Sequence, residues 1–547
     1  MSTTARRVAR LSELPTDRAV RVTVDDTPIL LVRDGDTVRG YSADCPHAGG
    51  PLEEGALCHG RIICPWHKGT FDVATGNVLE PPPLLPLDRY PVTLDGEDVL
   101  VSAEKITRPE AASHTSAEDA TAPEKHYVVI GAGAAGAAAC AALREFGFEG
   151  RVTLIGDEAH APYDRTSLSK FVPSFEMAPA DVPPLLPPDW LHTHGIERIV
   201  AKVARLDVPA RTIHFEAGAA GGGQQSIEPL TYDTALLATG SVPKVPDIPG
   251  CELGGVHVLR HLDDAAALID ALGDDASQTR VAILGSSFIG LEVASALRKH
   301  GVPVTVISRD TVPFAKQFGE RAGQMFRALH ESNGVKFYLD AKVASLEGEE
   351  GNVHAVMLDG GEAIAADVVL LGTGVAPATG FVEGLPLQQD GGVIVNAGMH
   401  AACGLYAAGD IAAFSLHENQ EPVRIEHWRV AQQHARIAAQ NMCGARNRYV
   451  DVPFFWTYHY GKNFEYLGHA SEWDEIFIDG DVDHHRFIAL YVRDGNVDAV
   501  LACEREALTA RLSDAMRGGL SRADALAIMG AAAPDAAARG APEPTAS

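Results

Sequence analysis

The sequence predicts a multidomain chain: an all-β domain first, then an α/β body made of two similar strand-turn-helix units, then a smaller α+β domain. Three observations carry this expectation. Residues 1–103 alternate in short apolar runs such as RVTV and ILLVR, separated by Asp-Gly and other glycine turns, which is the pattern of small antiparallel sheets. Two runs, YVVIGAGAAG and RVAILGSSFIG, open comparable strand, glycine-turn and helix segments about 150 residues apart. After about Arg448 short strand-like runs return (FEYLGHA, DEIFIDG, RFIALYV, AVLACE), followed by a helical stretch from Glu504 to about Met529. At 547 residues, with roughly 150 per domain, several folded units are expected.

The boundaries follow from changes of texture. The first domain spans 1–103, and 104–124 is a polar, Ala-, Ser-, Thr- and Pro-rich linker with almost no apolar periodicity. The first strand-turn-helix unit takes 125–243 and, after an insertion, 374–447; the insertion, 244–373, is the second unit. The C-terminal domain takes 448–530, and 531–547 has the composition of a disordered tail.

Charge excludes some functions. A net charge of −28 repels phosphate backbones and anionic lipid, so nucleic-acid binding is not expected. With 46% hydrophobic and 22% charged residues the chain has a globular composition. The longest nearly uncharged run, 127–143, is interrupted by Gly131, Gly133 and Gly136 and reads as strand, turn and helix, so no membrane span is expected. The start, MSTTARRVARL, has arginines but no apolar run behind them; a short transit-like segment is the alternative to a cytoplasmic chain, which is the expected location. Eight cysteines are too few for a disulfide scaffold, which leaves their spacing as the informative feature.

Four residues of the first domain have ligand spacing. CPHAGGPLEEG places Cys45 and His47 one residue apart, and CPWHKGTFD places Cys64 and His67 two residues apart, with sixteen residues between the pairs. Two loops of a small β-domain can bring the pairs together, thiolates on one iron and neutral imidazoles on the other, which is Rieske 2Fe-2S ligation. The surrounding Gly and Pro residues suit tight loops whose backbone N–H groups point at sulfur. A structural zinc site uses the same ligand types, but the Cys-x2–4-Cys knuckle and histidine-bearing helix of zinc fingers are not visible. The two loops resemble the Rieske ferredoxin family, and the resemblance extends over the whole first domain. Respiratory members of that family carry a disulfide and hydroxyl donors to the cluster sulfurs, where this chain has Gly49 or its neighbours, Trp66, Gly69 and Phe71. The missing donors imply a potential toward the low end of a range of roughly −150 to +300 mV.

The two glycine turns are nucleotide sites of Rossmann-like form. Gly131, Gly133 and Gly136 form G-x-G-x-x-G between a strand and an Ala-rich helix, and about twenty residues on the strand VTLIG ends at Asp157, whose carboxylate can accept bonds from a ribose. In the second unit Gly285 and Gly290 hold the first and last positions and Ser287 replaces the middle glycine. TALLATGSVP and GLYAAGDIA, the latter containing Asp410, add two further segments of a flavoprotein pattern and point to FAD.

Together with PYDRTSLSK (162–170), FIGLE (288–292), RIEHW (424–428) and PFFWTYHYG (453–461), these segments resemble the flavoprotein family of apoptosis-inducing factors and oxygenase-coupled ferredoxin reductases, in the variant with an N-terminal Rieske domain. The resemblance runs from about Lys125 to Val500. It implies an FAD-binding domain (125–243 and 374–447), an NAD(P)-binding domain (244–373) and a C-terminal reductase domain. It implies that Arg165, Val203, Arg260, Asp410 and Trp428 hold FAD, and that Lys170 and Glu292 lie near the flavin and nicotinamide rings as an ion pair. It also implies the activity: an NAD(P)H-dependent reductase passing electrons through FAD and the Rieske cluster to a protein acceptor such as an oxygenase or haem monooxygenase. A redox-responsive interaction protein of the cell-death type, with slow turnover, is the alternative. A disulfide reductase is disfavoured, since DRTSLSKFVPSFEM (164–177) holds no cysteine pair, and no iron-binding set of two His and a carboxylate for an oxygenase is evident. Asp483, His484 and His485 read as a solvated turn.

The coenzyme is read from the end of the strand VPVTVI. NAD sites place an acidic residue there; here Ser308 stands at that position of the family's pattern, followed by Arg309, whose guanidinium suits a 2′-phosphate. NADPH is therefore expected over NADH, with Asp310 as the residue that can restore the acidic role.

Overall fold

In this computed structural model residues 5–107, 125–216, 227–416 and 421–531 are described; most of the expected linker and almost all of the expected tail lie outside them. Contacts divide the chain into two units, one comprising 1–108, 451–456 and 464–547, the other 109–450 and 457–463. Among the described residues no helix is long and apolar enough to cross a membrane.

In the first unit, the N-terminal domain is all β. A four-stranded sheet orders Val20–Val24, Thr27–Asp34, Thr37–Ser42 and Arg89–Tyr90, and a three-stranded sheet joins Arg6–Arg10, Asp98–Val101 and Val92–Asp95. The strand Thr27–Asp34 reads as a continuous apolar run because it is buried on both faces: Leu30 and Val32 enter one core with Tyr41 and Phe71, while Ile29 and Leu31 enter another with Val38 and Val99. A second four-stranded sheet, Ala56–Cys58, Arg61–Ile63, Thr70–Asp72 and Val78–Glu80, carries the second cysteine loop between its two middle strands.

Most of the C-terminal sheet also belongs to this unit, residues 457–463 of its first two strands belonging to the other; its order is Phe454–His459, Lys462–Gly468, Asn496–Cys503, Arg486–Arg493 and Glu475–Asp481. Its core is Phe454, Leu467, Ile488, Leu490, Val500 and Leu512. The expected single helical stretch is two helices, Glu506–Met516 and Arg522–Ala531. Gly518 and Gly519 break it, the latter at φ 83°, a left-handed conformation that stops the helix after Met516.

In the second unit two parallel sheets carry the glycine turns. One orders Ile196–Val200, Arg151–Gly156, His126–Ile130, Thr234–Leu237 and Leu405–Ala407 in parallel, with His400–Ala402 antiparallel at the edge. The other orders Val256–His257, Val368–Leu371, Val281–Leu284, Val304–Ile307 and Lys336–Tyr338, all parallel. In each, the turn lies at the carboxyl end of a central strand, next to the crevice where such sheets bind nucleotides.

Candidate functional site

The cluster loops are two tight turns. Cys45 N–H donates to the Gly50 carbonyl at 2.9 Å, and Cys64 N–H to the Gly69 carbonyl at 2.8 Å. Both thiols are buried, at 3% and 2% exposure. They share a hydrogen bond, which together with burial holds the Cys45 thiol well above its usual range and, against burial, brings Cys64 below it. Backbone N–H groups of His47 and Ala48 face the Cys45 sulfur, and those of Trp66 and His67 face the Cys64 sulfur. The two imidazoles meet separately, Nδ1 to Nδ1 at 3.2 Å with rings at 86°.

Ligands thus fall into a sulfur pair and a nitrogen pair, the division that a two-iron cluster requires. No three His, Cys, Asp or Glu among the described residues gather as ligands of a single metal ion. Space is kept open around the sulfurs: a Cβ on Gly50 would stand 2.9 Å from Cys64 Sγ. The residues therefore fit a 2Fe-2S cluster. The nearby Thr70 hydroxyl donates to the Lys68 carbonyl at 2.9 Å.

Two features around the loops were not expected from sequence. Trp456 packs its ring against that of His67, with centroids 4.1 Å apart and planes tilted by 42°. Lys68, next to His67, is fully buried; its ammonium pairs with Glu465 at 2.8 Å and donates to the Pro65 carbonyl, and Thr509 also donates to Glu465. Burial raises the Glu465 carboxyl despite that ammonium. Asp514 accepts from Arg61 at 2.8 Å and pairs with His59 at 2.6 Å, and Arg517 bridges Glu80 and Asp451. Among the described residues, three ionic groupings therefore join the N- and C-terminal domains.

The first glycine turn opens a cavity of about 740 Å³ whose walls include Gly131, Gly133, Asp157, Arg165, Val203, Arg260, Asp410 and Trp428. Gly131 has φ 115°, and a Cβ there would lie 2.2 Å from the Ala238 carbonyl oxygen; one on Gly136 would lie 1.9 Å from the Gly131 oxygen. Only glycines allow this close approach of strand and helix. Asp410 accepts from Ser241 at 2.7 Å and faces Arg260 at 3.6 Å. The indole N–H of Trp428 is buried with no protein partner, and the first turn of its helix has no side-chain cap. Such an orphaned donor in a cavity wall suits an acceptor on a bound group, and the cavity fits FAD.

Glu158, beside the expected Asp157, holds Arg165 in place. It pairs with the Arg165 guanidinium and accepts from the Tyr163 hydroxyl at 2.6 Å, while Arg165 also donates to the Arg260 carbonyl at 2.8 Å. Burial pushes the Glu158 carboxyl up, but the His261 hydrogen bond, the Arg165 charge and the Tyr163 hydroxyl outweigh it and bring it to about 2. A depressed carboxyl stabilises the fold above its ordinary value and loses that contribution as pH falls toward about 2. We expect Glu158→Gln to lose stability at neutral pH and to show a flatter acid-unfolding profile between pH 4.5 and about 2 than the parent, read by circular dichroism.

The second turn opens a cavity of about 900 Å³ lined by Gly285, Ser286, Ser287, Ser308, Arg309, Asp310, Lys244 and Lys316 among others. Ser287 caps the helix Phe288–Arg298 by accepting from Gly290 N–H at 3.2 Å. Ser308 is 4% exposed and engaged with Ser286 at 2.9 Å, and it accepts from Asp310 N–H at 3.2 Å. Arg309 is exposed on the wall, and Asp310 pairs with Lys316 at 3.3 Å.

Lys170 and Glu292 form a buried pair at 3.0 Å, with side chains 7% and 5% exposed, and do not line either cavity. Glu292 also accepts from Ser169 at 2.5 Å and Thr457 at 2.7 Å.

Family models agree with this arrangement. A pyridine nucleotide-disulphide oxidoreductase model matches residues 125–435, a Rieske 2Fe-2S domain 4–91 and a reductase C-terminal domain 454–530. Among curated proteins, apoptosis-inducing factor 3 of Homo sapiens is 33% identical over 90% of this chain and 80% of its own. The ferredoxin–NAD(+) reductase component of the biphenyl dioxygenase system of Paraburkholderia xenovorans is 36% identical over 68% of this chain and 88% of its own. Among solved structures, a covalent putidaredoxin reductase–putidaredoxin complex superposes with a TM-score of 0.67 at 25% identity, covering 75% of this chain and 99% of the matched one.

Proposed function

Because the chain belongs to the pyridine nucleotide-disulphide oxidoreductase family, with a Rieske domain before and a reductase C-terminal domain after the family's core, we propose that it passes electrons from NAD(P)H through FAD to its own 2Fe-2S cluster and on to a protein acceptor. The observation that carries this reading is the presence on one chain of a divided sulfur and nitrogen ligand set and two dinucleotide cavities. FAD supplies the ability to take two electrons together and release them singly.

The protein's part is to bind, orient and insulate. Cys45, Cys64, His47 and His67 hold the cluster. Gly131, Gly133 and Gly136 admit the FAD pyrophosphate, Asp157 accepts from the ribose, and Arg165, Val203, Arg260, Asp410 and Trp428 hold the rest. Lys170 and Glu292, a buried ion pair set back from the linings of both cavities, are assigned by the family resemblance to the neighbourhood of the reacting rings, where the pair keeps a charged, water-poor environment. Gly285, Gly290 and the serines of the second turn receive the coenzyme. The family name mentions disulphides, but none of the eight cysteines here is paired in a disulfide and 164–177 contains no cysteine, which supports electron delivery over disulfide reduction. An oxygenase or haem monooxygenase suits as acceptor, and free thiols suit a cytoplasmic setting. The cell-death-type interaction role is the poorer reading, since this equipment serves turnover.

Metal and flavin analysis tests the whole reading. The purified chain is expected to hold one FAD, two irons and two inorganic sulfides; zinc without sulfide would overturn it.

For the coenzyme we propose NADPH. Arg309, Lys316 and Lys244 line the cavity, and Asp310 is already paired. A charge-assisted contact contributes roughly 1.5–3 kcal/mol. Arg309→Ala is expected to lower kcat/KM at least about tenfold for NADPH and little for NADH; equal losses would refute the assignment.

A further inference from the structure

The buried carboxylate of Glu292 stands at the head of a chain of hydrogen bonds that the proposed activity does not use. Its Oε1 accepts from the Thr457 hydroxyl at 2.7 Å. That hydroxyl has spent its only hydrogen, so its oxygen accepts from His459 Nε2 at 2.8 Å. His459 Nδ1 lies 3.2 Å from His330 Nε2, and His330 Nδ1 lies 3.1 Å from the Tyr460 hydroxyl. Thr457, His459 and His330 are at most 1% exposed, and Tyr460 is the first member that is partly exposed. Burial, with the Lys170 charge, lowers His459 to about 3; burial and the neighbouring His459 hold His330 well below its usual value. Both imidazoles are therefore neutral, and the donor forced on His459 Nε2 propagates: every hydrogen in the chain points toward Glu292. Around it stand the Leu291 carbonyl and Phe326 ring at His459, and the Arg298 charge near Tyr460.

We propose that Tyr460, His330, His459 and Thr457 form a proton path by which Glu292 takes up a proton from solvent when the site is reduced and returns it on reoxidation. The inference rests on the placement of Lys170 and Glu292 beside the reacting rings proposed above. In the oxidised protein Lys170 is the counter-ion of Glu292. A hydride brings one negative charge into the same pocket, and two anions then share one ammonium, which raises the proton affinity of Glu292. A proton passes in by four transfers along the chain. An O–H bond forms on Glu292, both histidines exchange Nε2–H for Nδ1–H, and Tyr460 regains its proton from water. When two electrons leave for the acceptor, the Glu292 proton returns by the same route and the hydride's own proton is released, so the net change is NAD(P)H to NAD(P)+, one proton and two electrons.

The test is a reduced-minus-oxidised infrared difference spectrum of the loaded protein, with dithionite as reductant, alongside dye-monitored proton uptake and 15N-histidine NMR. A carboxylic C=O band is expected on reduction, together with the tautomer exchange of His330 and His459, and Glu292→Gln should remove the band. Thr457→Val should slow its appearance about tenfold or more, and Thr457→Ser should restore it. If the band appears at the parent rate in Thr457→Val, or the tautomers do not change, the path is overturned while Glu292 keeps its place. If Glu292→Gln alters neither the spectrum nor NAD(P)H reduction, the placement of Glu292 itself fails.

Discussion

Replacing Cys64 by serine is expected to abolish delivery of electrons to a one-electron protein acceptor while NAD(P)H still bleaches the flavin. Cys64 is one of the two buried sulfurs of the proposed ligand set, and the backbone N–H groups of Trp66 and His67 are aimed at it. A serine oxygen is shorter and is not ionised at neutral pH, so that half of the ligand set is lost. The flavin cavity belongs to the other unit of the chain and has its own core, so its cofactor stays bound. Delivery should fall at least about 100-fold, judged against the 10–100-fold that even outer contacts of a metal site contribute. Stopped-flow traces at the flavin band, paired with reduction of cytochrome c or a ferredoxin, separate the two steps. Unchanged delivery would mean that the acceptor draws directly on the flavin.

Glu465→Ala is expected to destabilise the unit that carries the cluster by about 3–5 kcal/mol, because it leaves the Lys68 ammonium buried without its counter-charge. Lys68 follows His67 directly, so the disturbance reaches a proposed ligand and iron per chain should fall with stability. Removing both charges, as in Lys68→Met with Glu465→Leu, should recover much of the loss, since a buried pair is often no better than well-packed apolar residues. Thermal unfolding with iron analysis on the three proteins checks this, and a single variant as stable as the parent would refute it.

Much of the fold was legible because the decisive residues act through the backbone or at short range. Cys45, His47, Cys64 and His67 announce a divided ligand set by spacing alone, and Gly131 and Gly136 stand where any side chain would strike a carbonyl. Arg165, Val203, Arg260 and Trp428 came only through resemblance, since nothing local marks them out, whereas Asp410 stands in the GLYAAGDIA segment; all five line the first cavity. The partnership of Lys68 with Glu465 was not legible, because 397 residues separate them and each reads in isolation as a surface charge. Trp456 lay inside a quoted motif, yet its place against His67 depends on the same long-range packing. Asp157 stands at the expected distance from the glycines, while its neighbour Glu158, which no spacing marks out, makes the ion pair with Arg165. The long C-terminal helix failed at Gly518 and Gly519, whose breaking effect outweighed apolar periodicity on either side.

The ionic joints between the first domain and the last also set a timetable for biosynthesis. Lys68 leaves the ribosome 397 residues ahead of Glu465, a gap of about 20 to 80 s at roughly 5–20 residues per second. Throughout that interval the nascent first domain has the cluster loop but lacks the groups that bury and neutralise its lysine. Asp514 and Arg517, the other members of the joint, come later still. Neutralisation of the buried Lys68 ammonium is therefore bound to the end of translation, and a chain truncated before Glu465 carries all four proposed cluster ligands but not the counter-charge of that lysine.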